Sequence, residues 1–144
     1  MNESIQLFLL AALDTGLGAQ AICRAARECS PAETRSEWAR FQEEVSRHVQ
    51  AYASLMQELG LGAQADAVRR RSERAGAAEL IGRMRAAPES RSVSVARACL
   101  ERTQASCRLH WELFRELCSE LRDRCVAASM VVGAPKPASV TADC

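Results

Sequence analysis

The chain has 144 residues and a mass of 15.7 kDa, which suits one domain and not two. Its composition, 48% hydrophobic and 26% charged, is that of an ordinary globular protein, and a formal net charge of +1 removes the electrostatic case for nucleic acid or a membrane surface as partner. Alanine is frequent, while glycine (7) and proline (4) are scarce, a balance that favours long helices.

The first predicted helix spans 4–28. Ile5, Leu9, Ala12, Gly16, Ala19 and Cys23 fall on one stripe at helical spacing. Leu7, Leu10, Leu17 and Ala21 form a second apolar stripe nearly opposite. A helix apolar on two sides is central in a bundle or shared with a second subunit. The expectation is a homodimer formed through this helix, with Gly16 and Gly18 allowing close backbone approach. The start, Met1-Asn2-Glu3-Ser4, lacks the basic segment of a secretory leader, and no apolar run stands out as a membrane span, so a cytoplasmic location is expected.

The second helix has the clearest start. Ser30 is the expected N-cap, Pro31 the first helical residue, and Glu33 the partner in a capping box. Trp38, Phe41, Val45, His48, Tyr52, Leu55 and Leu59 make its buried stripe, and Gly60 ends it in a left-handed cap. From Leu61 to Ala87 the pattern is less regular. Arg69, Arg70, Arg71 and Arg74 form a solvated run. Ala77, Leu80, Ile81 and Met84 give a short apolar face, stopped by Pro88. This reads as a partly helical connection and a shorter third helix.

The fourth helix is predicted over 89–125. Its stripe is Val93, Ala96, Leu100, Gln104, Cys107, Trp111, Phe114, Cys118, Leu121 and Cys125. The pattern fades after Val126, so 1–126 reads as an all-α four-helix bundle and 127–144 as a flexible C-terminal tail.

His48 is the residue of most chemical interest, because an imidazole inside an apolar stripe must hydrogen-bond or bind something. Glu44, one turn earlier, or a residue of the fourth helix is expected within hydrogen-bonding reach of its ring. Cys107 and His110 stand at i, i+3 and can reach one metal from one helix face. Thiolate and imidazole suit zinc or copper. The seven cysteines include no CxxC pair and read as free thiols, with Cys23, Cys107 and Cys118 buried and reduced and Cys144 accessible. No P-loop, GxGxxG, HExxH or GxSxG motif is present, and no catalytic residue is assigned.

Glu43-Glu44-Val45-Ser46-Arg47-His48-Val49 and Met56-Gln57-Glu58-Leu59-Gly60 resemble the second helix of ferritin-like proteins. The likeness is to the bacterial stress-response branch related to rubrerythrin and bacterioferritin, and covers residues 4–122. It implies a ferritin-like bundle with a transition metal, iron in the family's di-iron centres, held by inward carboxylates and Glu-x-x-His pairs. This chain departs from that pattern. Val45 stands three residues before His48, the comparable place on the fourth helix reads Gln104-x-x-Cys107, and the first helix offers only Asp14. The resemblance therefore implies a degenerate metal site in a stress-related or interaction protein without enzymatic activity. Two alternatives stay open: a metal-binding protein using Glu44 and His48 with Cys107, His110 or Asp14, and a helical adaptor with no metal.

Overall fold

The computed structural model describes residues 2–72 and 78–132, with side chains described for 2–71 and 78–125. Within these residues the chain is all helical: α1 (Glu3–Cys29), α2 (Ala32–Glu58), α3 (Gly62–Ser72), α4 (Ala78–Ala86), a 3-10 turn (Glu89–Arg91) and α5 (Ser92–Val132). Five α-helices therefore stand where four were expected, because the Leu61–Ala87 segment forms two short helices. The last helix continues past Val126 to Val132, and the remainder of the expected tail, with Cys144, lies outside the described residues, as do Arg74 and Ala77.

Helix α1 starts where Asn2 accepts a hydrogen bond from the Ser4 backbone N–H at 2.8 Å, an N-cap that satisfies one orphan donor. Only Ser30 and Pro31 separate α1 from α2. The capping box expected at Ser30 does not form. The Ser30 backbone N–H instead closes α1 by donating to the Ala26 carbonyl at 2.7 Å. Pro31 keeps an extended ψ of 150°, so α2 begins one residue late and has no side-chain cap. The Ser30 hydroxyl is buried with no partner among the described residues.

The end of α2 follows the sequence closely. Gly60 has φ +78°, the left-handed conformation that favours glycine. Leu61 N–H donates to the Met56 carbonyl and Gly60 N–H to the Gln57 carbonyl, the paired bonds of a Schellman motif. Leu61, just past the cap, is buried.

α1 and α2 run antiparallel and close. A Cβ at Gly16 would stand 2.7 Å from Val49 Cγ2, so glycine here permits the approach. Gly18 has no side-chain neighbour within 4 Å and plays no such part within the chain. α5 runs parallel to α2, as the rising pairs Glu37–Arg97, Glu44–Arg108, His48–Trp111 and Tyr52–Phe114 show. α3 packs against α1 and α2, whereas α4 packs against α1 and α5. α1 is thus the helix that every other α-helix touches.

That position accounts for both apolar stripes of α1. Leu9, Ala12, Leu13, Ala19 and Cys23 are buried, while Leu10 and Leu17 are half-buried and packed on the same core. Of the second stripe's leucines only Leu7 is exposed. α1 is also long and apolar enough to cross a membrane, a correction to the expectation that no run qualifies. Asp14 is its one charge between Ser4 and Cys23. A helix at the centre of a bundle needs the same composition.

Candidate functional site

The inner faces of α2 and α5 bring the chemically interesting residues together. His48 is buried, 5% exposed, as its place on the α2 stripe predicts. Its ring lies flat on Trp111 of α5, with centroids 4.1 Å apart and planes 8° from parallel. Trp111 is also stacked near Phe114 at 5.4 Å, and Phe114 meets Tyr52 edge-on at 4.8 Å. His48 therefore belongs to an aromatic cluster joining α2 to α5.

Among the described residues His48 donates no hydrogen bond to Glu44, and no residue of α5 hydrogen-bonds to it either. Glu44 reaches across to Arg108, which donates to its two carboxylate oxygens from Nε at 3.4 Å and from Nη2 at 3.3 Å. A guanidinium fork matches a carboxylate better than one imidazole nitrogen does. His48 Nδ1 is left buried with no partner among the described residues. Burial holds the His48 pKa below its ordinary 6.5, with Arg47 and Arg108 adding to the effect and Glu44 opposing it. The ring is therefore neutral at pH 7.

Cys107 is buried beside this cluster. Burial pushes its thiol up from 9.0 to about 11, and the nearby Glu44 carboxylate adds to the rise. Cys23 of α1 is pushed up from 9.0 to about 12, by burial first and by Cys107 second. Such thiols are poor nucleophiles and poor metal ligands at neutral pH. His110 is half-buried, with Nδ1 2.9 Å from the Ser106 carbonyl oxygen and its ring stacked loosely on Phe8 at 6.1 Å.

His48, Cys107 and His110 line one narrow space with Thr15, Gly16 and Tyr52. No part of it is wide enough for a water molecule. Glu44 and Asp14 stand apart from it. Asp14 is exposed and paired with Arg71 of α3 at 3.8 Å. Among the described residues no three His, Cys, Asp or Glu side chains come together so as to hold a metal ion. The proposed set of Glu44, His48, Cys107, His110 and Asp14 is thus split into a close-packed trio, with His110 only half-buried, and two carboxylates outside it, each held by an arginine. A di-iron centre needs several carboxylates, and here the inner positions are aromatic, apolar or thiol.

The remaining cysteines behave differently. Cys99 is buried and Cys29 half-buried, and both are free; Cys125, half-buried on α5, is also free. Cys118 is buried but disulfide-bonded, which corrects the expectation of a reduced thiol there.

One feature of the α2–α5 seam was not foreseen. Glu37–Arg97 and Glu44–Arg108 form a ladder of ion pairs along a groove of about 260 Å³ that also includes Arg40, Glu101 and Gln104. The partners are 60 and 64 residues apart, so only the parallel register of α2 and α5 brings them together. Comparison of the chain with family models, with curated proteins and with solved structures finds no match.

Proposed function

We propose that this is a non-catalytic helical-bundle protein of the cytoplasm that works by binding other chains through its surface. The observation that carries this reading is the tight packing around His48, which leaves no room for a water molecule. A reactive site needs access for substrate or ion, and this one excludes even water. Its imidazole is neutral and stacked, its one thiol, Cys107, is protonated, and its carboxylate neighbour belongs to Arg108.

A ferritin-like origin with a lost metal centre, in a stress-related protein, is the finer form of the reading. The resemblance of Glu43–Val49 and Met56–Gly60 supports it, together with the placing of Glu44 and His48 on the α2 side that faces α5. The competing reading is a working metal site on His48 with Cys107 and His110, binding iron, zinc or copper. It is favoured by the unpartnered Nδ1 and the cleft that the three residues share. Elemental analysis of protein purified from iron-, zinc- and copper-supplemented culture separates the two. The expected result is far less than one metal atom per chain. A full metal equivalent that His48→Phe abolishes would overturn the non-catalytic reading. The homodimer through α1 loses most of its motive, because Leu10 and Leu17 pack on the chain's own core and leave only Leu7 outside.

A further inference from the structure

The large apolar side chains left in solvent lie elsewhere. Leu109 is 57% exposed and Leu113 43% exposed, one turn apart on the outer face of α5. The stacking of His110 on Phe8 brings the start of α1 to the same level, where Leu7 is 60% exposed. Monomeric surfaces scatter single leucines, but neighbouring ones on one helix face need a partner.

The residues that flank this pair repeat in alternating steps of four and three: Arg102, Ser106, Leu109, Leu113, Glu116 and Glu120. That 3.5-residue period keeps a stripe facing a second helix along its whole length. All six are exposed. The stripe is also self-complementary in one direction only. Laid antiparallel on a copy of itself about a twofold axis near Trp111, it sets Leu109 against the other chain's Leu113 and Arg102 against its Glu120. A parallel pairing would set Arg102 against Arg102 and Glu120 against Glu120, and like charges repel. Glu120 also pairs with Arg124 of its own chain, one turn on.

We infer that the outer face of α5 is the docking surface for a second copy of this chain, forming a twofold antiparallel dimer through Leu109 and Leu113. The inference rests on the reading of the protein as a binding module and names its partner. A twofold interface uses the same patch on both subunits, which this arrangement of charge and leucine allows.

Sedimentation equilibrium of the full chain at rising concentration tests it. The wild type should reach twice the 15.7 kDa of one chain. Leu109→Glu with Leu113→Glu should raise the dimer dissociation constant at least about tenfold while leaving helical circular dichroism unchanged, because both side chains start in solvent. Arg102→Glu should weaken the dimer severalfold, and adding Glu120→Arg should restore it. Three results would overturn the inference: a wild type at single-chain mass throughout; a dimer that survives the leucine substitutions but is lost in Leu10→Glu or Leu17→Glu; or a monomer whose leucine face captures an unlike protein. A monomer leaves the non-catalytic reading standing, since bound metal, not oligomeric state, tests that reading.

Discussion

The two faces of α5 between Cys107 and Cys118 differ in what burial leaves their side chains able to do. The inner face carries the groups with chemical potential, Cys107 and Trp111 with its stacked His48, yet it is closed and neutral. The outer face carries solvated charges, Arg108, Glu112, Arg115 and Glu116, and among them exposes Leu109 and Leu113. Burial decides the difference. Desolvation disfavours charge on both thiol and imidazole, so the chemistry inside is suppressed. Apolar area outside is the part of the molecule still able to gain free energy by association.

Two adjacent residues give the largest test of this contrast. Phe114→Ala empties the space against Tyr52 and should cost about 3–5 kcal/mol of stability. Leu113→Ala, one residue away on the outer face, should cost under about 0.5 kcal/mol in the monomer. Urea unfolding of both variants makes the comparison, and equal losses would show that α5 has no distinct inner face. The same contrast is repeated on α1. Gly16→Ala forces Val49 to move and should destabilise by about 1–3 kcal/mol. Gly18→Ala meets open space and should stabilise by roughly 0.5–1 kcal/mol through helix propensity. Destabilisation by Gly18→Ala would reveal a neighbour on that side.

Thiol chemistry sharpens the comparison further. Cys23 and Cys107 should react with a thiol reagent about a hundredfold or more slower than half-exposed Cys29 and Cys125, because reaction requires local opening. Mass spectrometry of the labelled positions reads this directly. The same burial makes stability fall in alkali. The folded thiols hold their protons to about 11 and about 12, whereas unfolded thiols release theirs near 9.0. The unfolded chain therefore binds fewer protons above pH 9.0, and stability declines from there towards those raised values. Cys23→Ala and Cys107→Ala should each flatten part of that decline, and an unchanged curve would show that these thiols titrate normally.

The parts of the fold that were legible in the sequence are those set by one helix alone. The α2 stripe from Trp38 to Leu55 is buried throughout because a 3.6-residue period fixes which side chains share a face. Gly60 was legible because a left-handed cap admits little else. The start of α2 was not, because the Ser30 backbone serves α1 across a two-residue turn, a competition that lies between helices. The helix α3 was hidden by an arginine run that has no apolar period, so this stretch reads as a partly helical connection before the shorter helix α4. His48 was rightly placed in the core, but neither Glu44 nor α5 hydrogen-bonds to it among the described residues; it stacks on Trp111 instead. Glu44 is nearest in sequence, whereas Arg108 and Trp111 reach these residues only through the register of α5. Reading a seam requires both of its sides, and the sequence displays them 60 residues apart.

The central claim is that His48 is a packing residue of the aromatic cluster and not a ligand or a base. Nuclear magnetic resonance of the two histidine rings across pH, with and without added iron(II), zinc or copper(I), tests it most directly. With the ring buried, the folded protein binds its proton more weakly than the unfolded chain. Stability should therefore fall as pH drops below 6.5 towards the lowered folded value, a loss that His48→Phe removes. The account predicts that His48 titrates below 6.5 and that its signals stay in place when metal is added. Titration above 6.5, with a cation held on Trp111, or a stoichiometric metal-dependent shift of the ring would contradict it.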